Sequence, residues 1–172
     1  MTQSRFYSRS SVSGNFEGES PPTVLVTPIR GLTGEQLYNS LRTAAGLSLE
    51  RLDVGLEREL STRNRFIAQF YVPRTIAAER SISQSLSMMN SSLIQEMTTT
   101  EHNQTLRGII DAPFLDTEAQ VNSLFLAALG RQPSILEQNH VRSYLARVSD
   151  KPQAFGDLFW VLVNSTEFNT NH

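Results

Sequence analysis

The stretch Phe155-Gly156-Asp157-Leu158-Phe159-Trp160-Val161-Leu162-Val163-Asn164-Ser165-Thr166-Glu167-Phe168 decides the fold. Phe155, Leu158, Phe159, Leu162 and Val163 recur at i, i+3, i+4, i+7 and i+8, which is one face of an α-helix. Trp160 and Val161 widen that apolar arc, so the helix is expected at the centre of a bundle. Phe155, Leu158, Phe159, Trp160 and Leu162 are its expected hub. Pro152 suits the opening turn of the same helix, where its missing N–H is no loss.

Two more helices are expected just upstream. Val121, Leu124, Phe125, Ala128 and Leu129 repeat the same spacing behind a capping box read at Thr117–Gln120, and Gly130 supplies the stop. Ser134 and Glu137 form another capping box after Pro133, followed by a stripe of Val141, Tyr144, Leu145 and Val148. Short turns between them predict a closing three-helix antiparallel bundle over residues 116–172.

Further towards the N-terminus the helical signals continue. Thr33-Gly-Glu-Gln36 is a capping box, and Leu37, Leu41 and Ala45 follow it to a stop at Gly46. Leu49, Leu52, Leu56 and Leu60 hold helical spacing, with Phe66, Ile67 and Phe70 extending an apolar face as far as Pro73. Ile82, Leu86, Met89, Leu93, Ile94 and Met97 predict one long helix whose other face is rich in Ser and Asn. A shorter helix is expected over 102–110, closed by Pro113. Thr23–Val26, between Pro22 and Pro28, reads as an extended segment on the helical body. Residues 1–22, with six Ser and almost no aliphatic side chains, read as a disordered tail. The fold class is therefore all-α: a bundle of about six or seven helices in a single domain, 23–172, behind that tail.

Composition narrows the function classes. The chain has 172 residues, a net charge of -2 and no Cys. The absence of Cys removes disulfides, thiolate metal sites, a Cys nucleophile and covalent haem attachment. The charge argues against a nucleic-acid partner, although only Lys151 among the 15 cationic residues is not Arg. No apolar run reaches membrane-spanning length, and Met1 to Pro22 lacks the apolar core of a signal peptide.

Four blocks carry a family resemblance: Gly31-Leu-Thr-Gly-Glu-Gln-Leu-Tyr-Asn-Ser-Leu41, Ser83-Gln-Ser-Leu-Ser-Met-Met-Asn-Ser91, Leu124-Phe-Leu-Ala-Ala-Leu-Gly-Arg-Gln-Pro133, and Asp157-Leu-Phe-Trp-Val-Leu-Val-Asn-Ser-Thr-Glu-Phe168. Across about residues 28–172 the chain resembles the C-terminal domain of unknown function in large planctomycete surface proteins, many of which also carry cytochrome-c-like regions. The resemblance implies the closing part of a longer exported protein, periplasmic or at the cell surface, with no catalytic residues to carry over. The chain has neither a haem-attachment motif nor the large central region of those proteins. Residues 116–168 also resemble the small helical repeats of phycobilisome linkers, which join proteins to one another.

Candidate chemistry is sparse. His102, His140 and His172 do not converge by spacing; His140 lies beside a predicted buried stripe and reads as a hydrogen-bonded boundary histidine. Twenty serines include no Gly-x-Ser-x-Gly elbow. Glu57, Glu59, Asp111, Asp116 and Glu118 sit in mixed-charge or capping contexts, where solvated faces and helix N-termini account for carboxylates. No Gly-rich phosphate loop is present. Glu50, Arg51, Asp53, Glu57, Arg58, Glu59, Arg63 and Arg65 read as one charged, solvated helix face. No catalytic, metal or cofactor-binding residue is assigned. The remaining expectation is a structural clamp in which Glu167 pairs with Arg131 across the bundle, with Asn164 and Ser165 beside it and Phe168 folded onto the core.

The expected function is a non-catalytic structural or protein-interaction module, binding a protein partner or the rest of its parent protein. One alternative is part of an enzyme completed by residues outside this chain. The other is a carbohydrate or small-ligand binder using an aromatic surface around Tyr38, Phe70 and Tyr71.

Overall fold

A computed structural model describes residues 30–47, 56–69 and 88–171. The readings placed on residues 1–22, Thr23–Val26, Leu49 and Leu52, Phe70, Tyr71 and Pro73, Ile82 and Leu86, and His172 lie outside them, as do the side chains of Glu50 to Glu59.

The chain is an all-α bundle. In order the helices are α1 (Gly34–Ala44), α2 (Leu56–Gln69), α3 (Ser92–Met97), α4 (Gln104–Asp111), α5 (Thr117–Leu129), α6 (Ile135–Leu145), α7 (Lys151–Asn164) and α8 (Thr166–Asn169). The α1 capping box forms as expected, with Thr33 Oγ1 accepting from Gln36 N and Gln36 Oε1 accepting from Thr33 N. That helix ends at Ala44, two residues before Gly46, whose φ of 70° lies in the left-handed region. The aromatic rings of Tyr38 and Phe66 pack at 5.9 Å, and Arg63 meets Glu35 at 3.0 Å, so α2 lies along α1.

Two helix boundaries differ from expectation. The N-cap of α5 is Asp116, whose carboxylate accepts from Ala119 N; Thr117 is already helical. An Asp side chain competes well for that position, and its charge favours the positive end of the helix. The single long helix expected up to Met97 is broken: the chain turns at Asn90, and α3 starts afresh after Ser91. Asn and Ser side chains favour turns and caps over helix interiors, and the break leaves Met89 exposed while Met88 is buried.

Helix α7 sits at the centre, touching α3, α4, α5, α6 and α8. Phe155 and Phe159 are fully buried, with Leu158, Leu162 and Val163 close behind, against Leu37, Leu41, Leu106 and Leu124. The apolar arc is narrower than its composition: Trp160 is half-buried and Val161 faces solvent. Gly156 makes the approach of α7 to the turn after α3 possible, because a Cβ there would lie 2.2 Å from the Thr98 carbonyl oxygen. At the chain's end, Arg30–Gly31 and Thr170–Asn171 pair as a two-residue antiparallel ladder, continued by Leu32 N to Asn169 O at 3.0 Å.

Candidate functional site

The closing bundle α5–α6–α7 carries the polar features to be explained. Three buried polar side chains come first, and each is spent on backbone. Asn103 Nδ2 donates to Met97 O at 2.8 Å while its Oδ1 accepts from Leu106 N at 2.8 Å, joining α3 to the start of α4. Gln120 Nε2 donates to Ile109 O at 2.9 Å and ties α5 to α4. Asn169 Nδ2 donates to Val163 O and Ser165 O, folding α8 back under α7. On the donor side these hydrogen bonds replace those lost to water, while Gln120 Oε1 is buried without a partner among the described residues.

Arg131 follows Gly130, whose φ of 71° ends α5 in a left-handed turn. That turn aims the guanidinium between two carboxylates. Nε and Nη2 donate to Glu167 at 2.6 and 2.7 Å. Nη1 and Nη2 donate to Glu137 at 2.9 and 2.8 Å, and Nη1 also reaches Gln132 O at 3.0 Å. All five N–H donors of the fork are used, in the planar geometry that suits Arg and not Lys. The guanidinium carbon also lies 5.8 Å from the centre of the Phe125 ring.

Glu137 does two jobs at once. Its carboxylate accepts from Ser134 N at 2.7 Å as the far half of the α6 capping box, while holding Arg131. The hydrogen bonds from Arg131 hold the Glu137 carboxyl down at about 2, against the opposing effect of partial burial. The Arg131 guanidinium is stabilised in its charged form, first by Glu167 and then by Glu137.

The sequence placed Asn164 and Ser165 beside this pair, but the structure puts them to other uses. Asn164 Nδ2 donates to Trp160 O at 2.8 Å, and Ser165 caps α8 by accepting from Phe168 N while donating to Leu162 O. Phe168 is buried. Glu137, which sequence reading confined to the capping box, is the third member of the cluster. Its signal was present as the Arg131…Glu137 spacing across the Pro133 turn, yet only the course of the turn brings the two together.

The other candidates stand apart. His140 is exposed, not a boundary histidine, because α6 buries only Val141 and leaves Tyr144 and Leu145 half-buried; the helix ends before Val148, the last residue of the expected stripe. His102 is exposed, with Nδ1 3.2 Å from Thr99 Oγ1. Asp111 pairs loosely with Arg107 at 3.8 Å, and Glu118 with Arg142 at 3.6 Å. Tyr38 is buried, so it cannot join an exposed aromatic surface. The Tyr144 hydroxyl donates to Asp157 at 2.5 Å, which holds its proton more tightly than usual and staples α6 to α7. Among the described residues no group of three or more His, Cys, Asp or Glu could hold a metal ion, and no helix is long and apolar enough to cross a membrane.

The surface is more telling than these polar groups. The pairs Glu118–Arg142 and Tyr144–Asp157 show that α5, α6 and α7 run antiparallel in succession. The C-terminal half of α5, the start of α6 and the C-terminal half of α7 therefore share one end of the bundle with Arg131. That end carries Ile135 at 80% exposure, Leu136 at 66%, Val161 at 55% and Leu126 at 48%. A groove of about 560 Å³ runs between α5 and α6, floored by Val121, Val141 and Leu145. A second hollow of about 480 Å³ lies between α1, the end of α5 and Phe168. No protein-family model matches the chain, and neither a curated protein nor a solved structure does.

Proposed function

We propose that this chain is a non-catalytic structural and protein-interaction module, the closing part of a larger exported protein of the planctomycete type that its sequence resembles. One observation carries the reading: four large apolar side chains, Leu126, Ile135, Leu136 and Val161, stand exposed at one end of a bundle braced by Arg131. Exposed apolar side chains scattered singly are ordinary, as Phe114 is away from this end; four at one end of a rigid bundle support a contact surface there. The polar residues of the bundle support the reading from the other side, since Arg131, Glu137, Asn103, Gln120 and Asn169 are occupied in holding helix ends together.

The test is affinity capture of the full-length parent protein from its native envelope, with and without the double change Ile135→Ser and Leu136→Ser. Both positions are exposed, so circular dichroism should be unchanged. Loss of the captured partners is the expected result. Recovery of the same partners at the same yield refutes the reading.

A further inference from the structure

We infer that the groove between α5 and α6 is a seat for a single amphipathic helix of about three turns, carrying a basic residue at one end; this rests on the interaction-module reading and names its partner's chemistry.

The groove is built to stay open. Helices α5 and α6 are joined by the five residues 130–134, with Pro133 buried in the turn. At the turn end Arg131 grips Glu137, and at the far end Arg142 meets Glu118 at 3.6 Å. Between these two braces the helices do not close on each other, and Val121, Val141 and Leu145 form an apolar floor. The α6 wall continues past that floor: Ile135 precedes Gln138 by three residues and Arg142 by seven, so it lies on the same side of the helix. On α5, Leu126 follows Asn122 by four. Exposed apolar side chains therefore stand at the turn end beyond Asn122 and Gln138, and with the apolar floor they give the hairpin the form of a helix-in-groove acceptor.

Size and charge select the occupant. The hairpin face is about 20 Å long at 1.5 Å per residue and about 20 Å across two helix diameters. Two helices side by side leave one longitudinal groove between them, which takes one further helix along its length rather than the two-helix face of a second copy. A narrow helix entering the groove is touched on two flanks and gains more contact from the same walls. The open end of the groove carries Asp116 and Glu118 against Arg142 alone, an acidic excess. Glu118 is 61% exposed and meets Arg142 through Oε2, so its carboxylate can also accept from an incoming cation with the brace left in place. A Lys or Arg at the matching end of the incoming helix sets its direction.

The experiment uses the full chain and three synthetic 14-residue peptides. The first has Leu at i, i+3, i+4, i+7 and i+11 with two Lys at one end; the second replaces those Lys by Glu; the third scrambles the periodicity of the first. Fluorescence anisotropy reads binding and amide chemical shifts locate it. The Lys peptide is expected to bind with shifts centred on Val121, Gln138, Val141 and Leu145. The Glu peptide should bind at least about tenfold more weakly, as a rim charge reversal allows, and the scrambled one not at all. Ala146→Trp and, independently, Gln138→Trp fill the groove from its wall and should abolish binding while leaving the circular dichroism unchanged. Equal binding of all three peptides, shifts on another surface, or no binding overturns the inference. So does dimerisation in sedimentation that Ala146→Trp removes. If the peptides fail while Ile135→Ser with Leu136→Ser still abolishes native capture, the groove inference falls and the interaction-module reading stands; if capture also survives, both fall.

Discussion

Replacing Arg131 by Ala removes a cation that holds two carboxylates from different helices. The guanidinium makes two bonds to Glu167 and two to Glu137, all between 2.6 and 2.9 Å. The side chains are 35–38% exposed, so water screens each pair. After that discount each bidentate pair contributes about 1 kcal/mol, the upper part of the range for ion pairs at a surface. Leaving the Glu137 and Glu167 carboxylates facing each other without a cation adds a further penalty of about 0.5–1 kcal/mol. The expected loss is therefore about 2–3 kcal/mol, which for a chain of this size lowers Tm by roughly 5–10 °C. Urea denaturation followed by circular dichroism at 222 nm measures it. Arg131→Lys should recover less than half, because an ammonium cannot serve both carboxylates in one plane.

The pH dependence supplies a second readout. Arg131 holds Glu137 at about 2 in the folded chain, below its ordinary 4.5. A depressed carboxyl stabilises the fold above the unfolded value and loses that contribution as pH falls towards the folded one. The gap between wild type and Arg131→Ala should thus be full at pH 7 and shrink between about pH 4.5 and 2. A gap under about 0.5 kcal/mol at pH 7, which is the scale of an ordinary surface substitution, would falsify the clamp, as would a gap unchanged across that acid range.

Other outcomes follow from packing. Gly156→Ala drives a methyl group into the Thr98 carbonyl, a backbone atom that cannot rotate away; a packing cost of about 3 kcal/mol outweighs the gain of about 1 kcal/mol in helix propensity, measurable by thermal denaturation. Phe159→Ala should cost about 3–5 kcal/mol as a core cavity, whereas Val161→Ala, two residues on and on the opposite, exposed side, should stay within about 0.5 kcal/mol; equal effects would contradict the observed orientation of α7. Asn103→Ala removes both the α4 cap and the bond to Met97 O, for about 1–2 kcal/mol, with faster amide exchange concentrated at Leu106.

What the sequence by itself determined is local. The capping boxes at Thr33 and Ser134, the stops at Gly46 and Gly130, and the apolar stripe of α7 all rest on contacts within three or four residues, where spacing and side-chain chemistry suffice. The pairing of Arg131 with Glu167 was also legible, because both sit at helix ends brought together by short turns. The third partner was not: Glu137 had an adequate local role in its capping box, and only the path of the chain through the buried Pro133 turns it towards Arg131. The same holds wherever a helix carries more apolar residues than one face can bury. Val161, Ile135 and Leu136 look like core by composition, and His140 like boundary by position, yet which arc of a helix faces inward depends on its neighbours. Periodicity names a face; the packing of α5, α6 and α7 against one another decided which apolar residues stay in water, and so where this chain has a surface to offer.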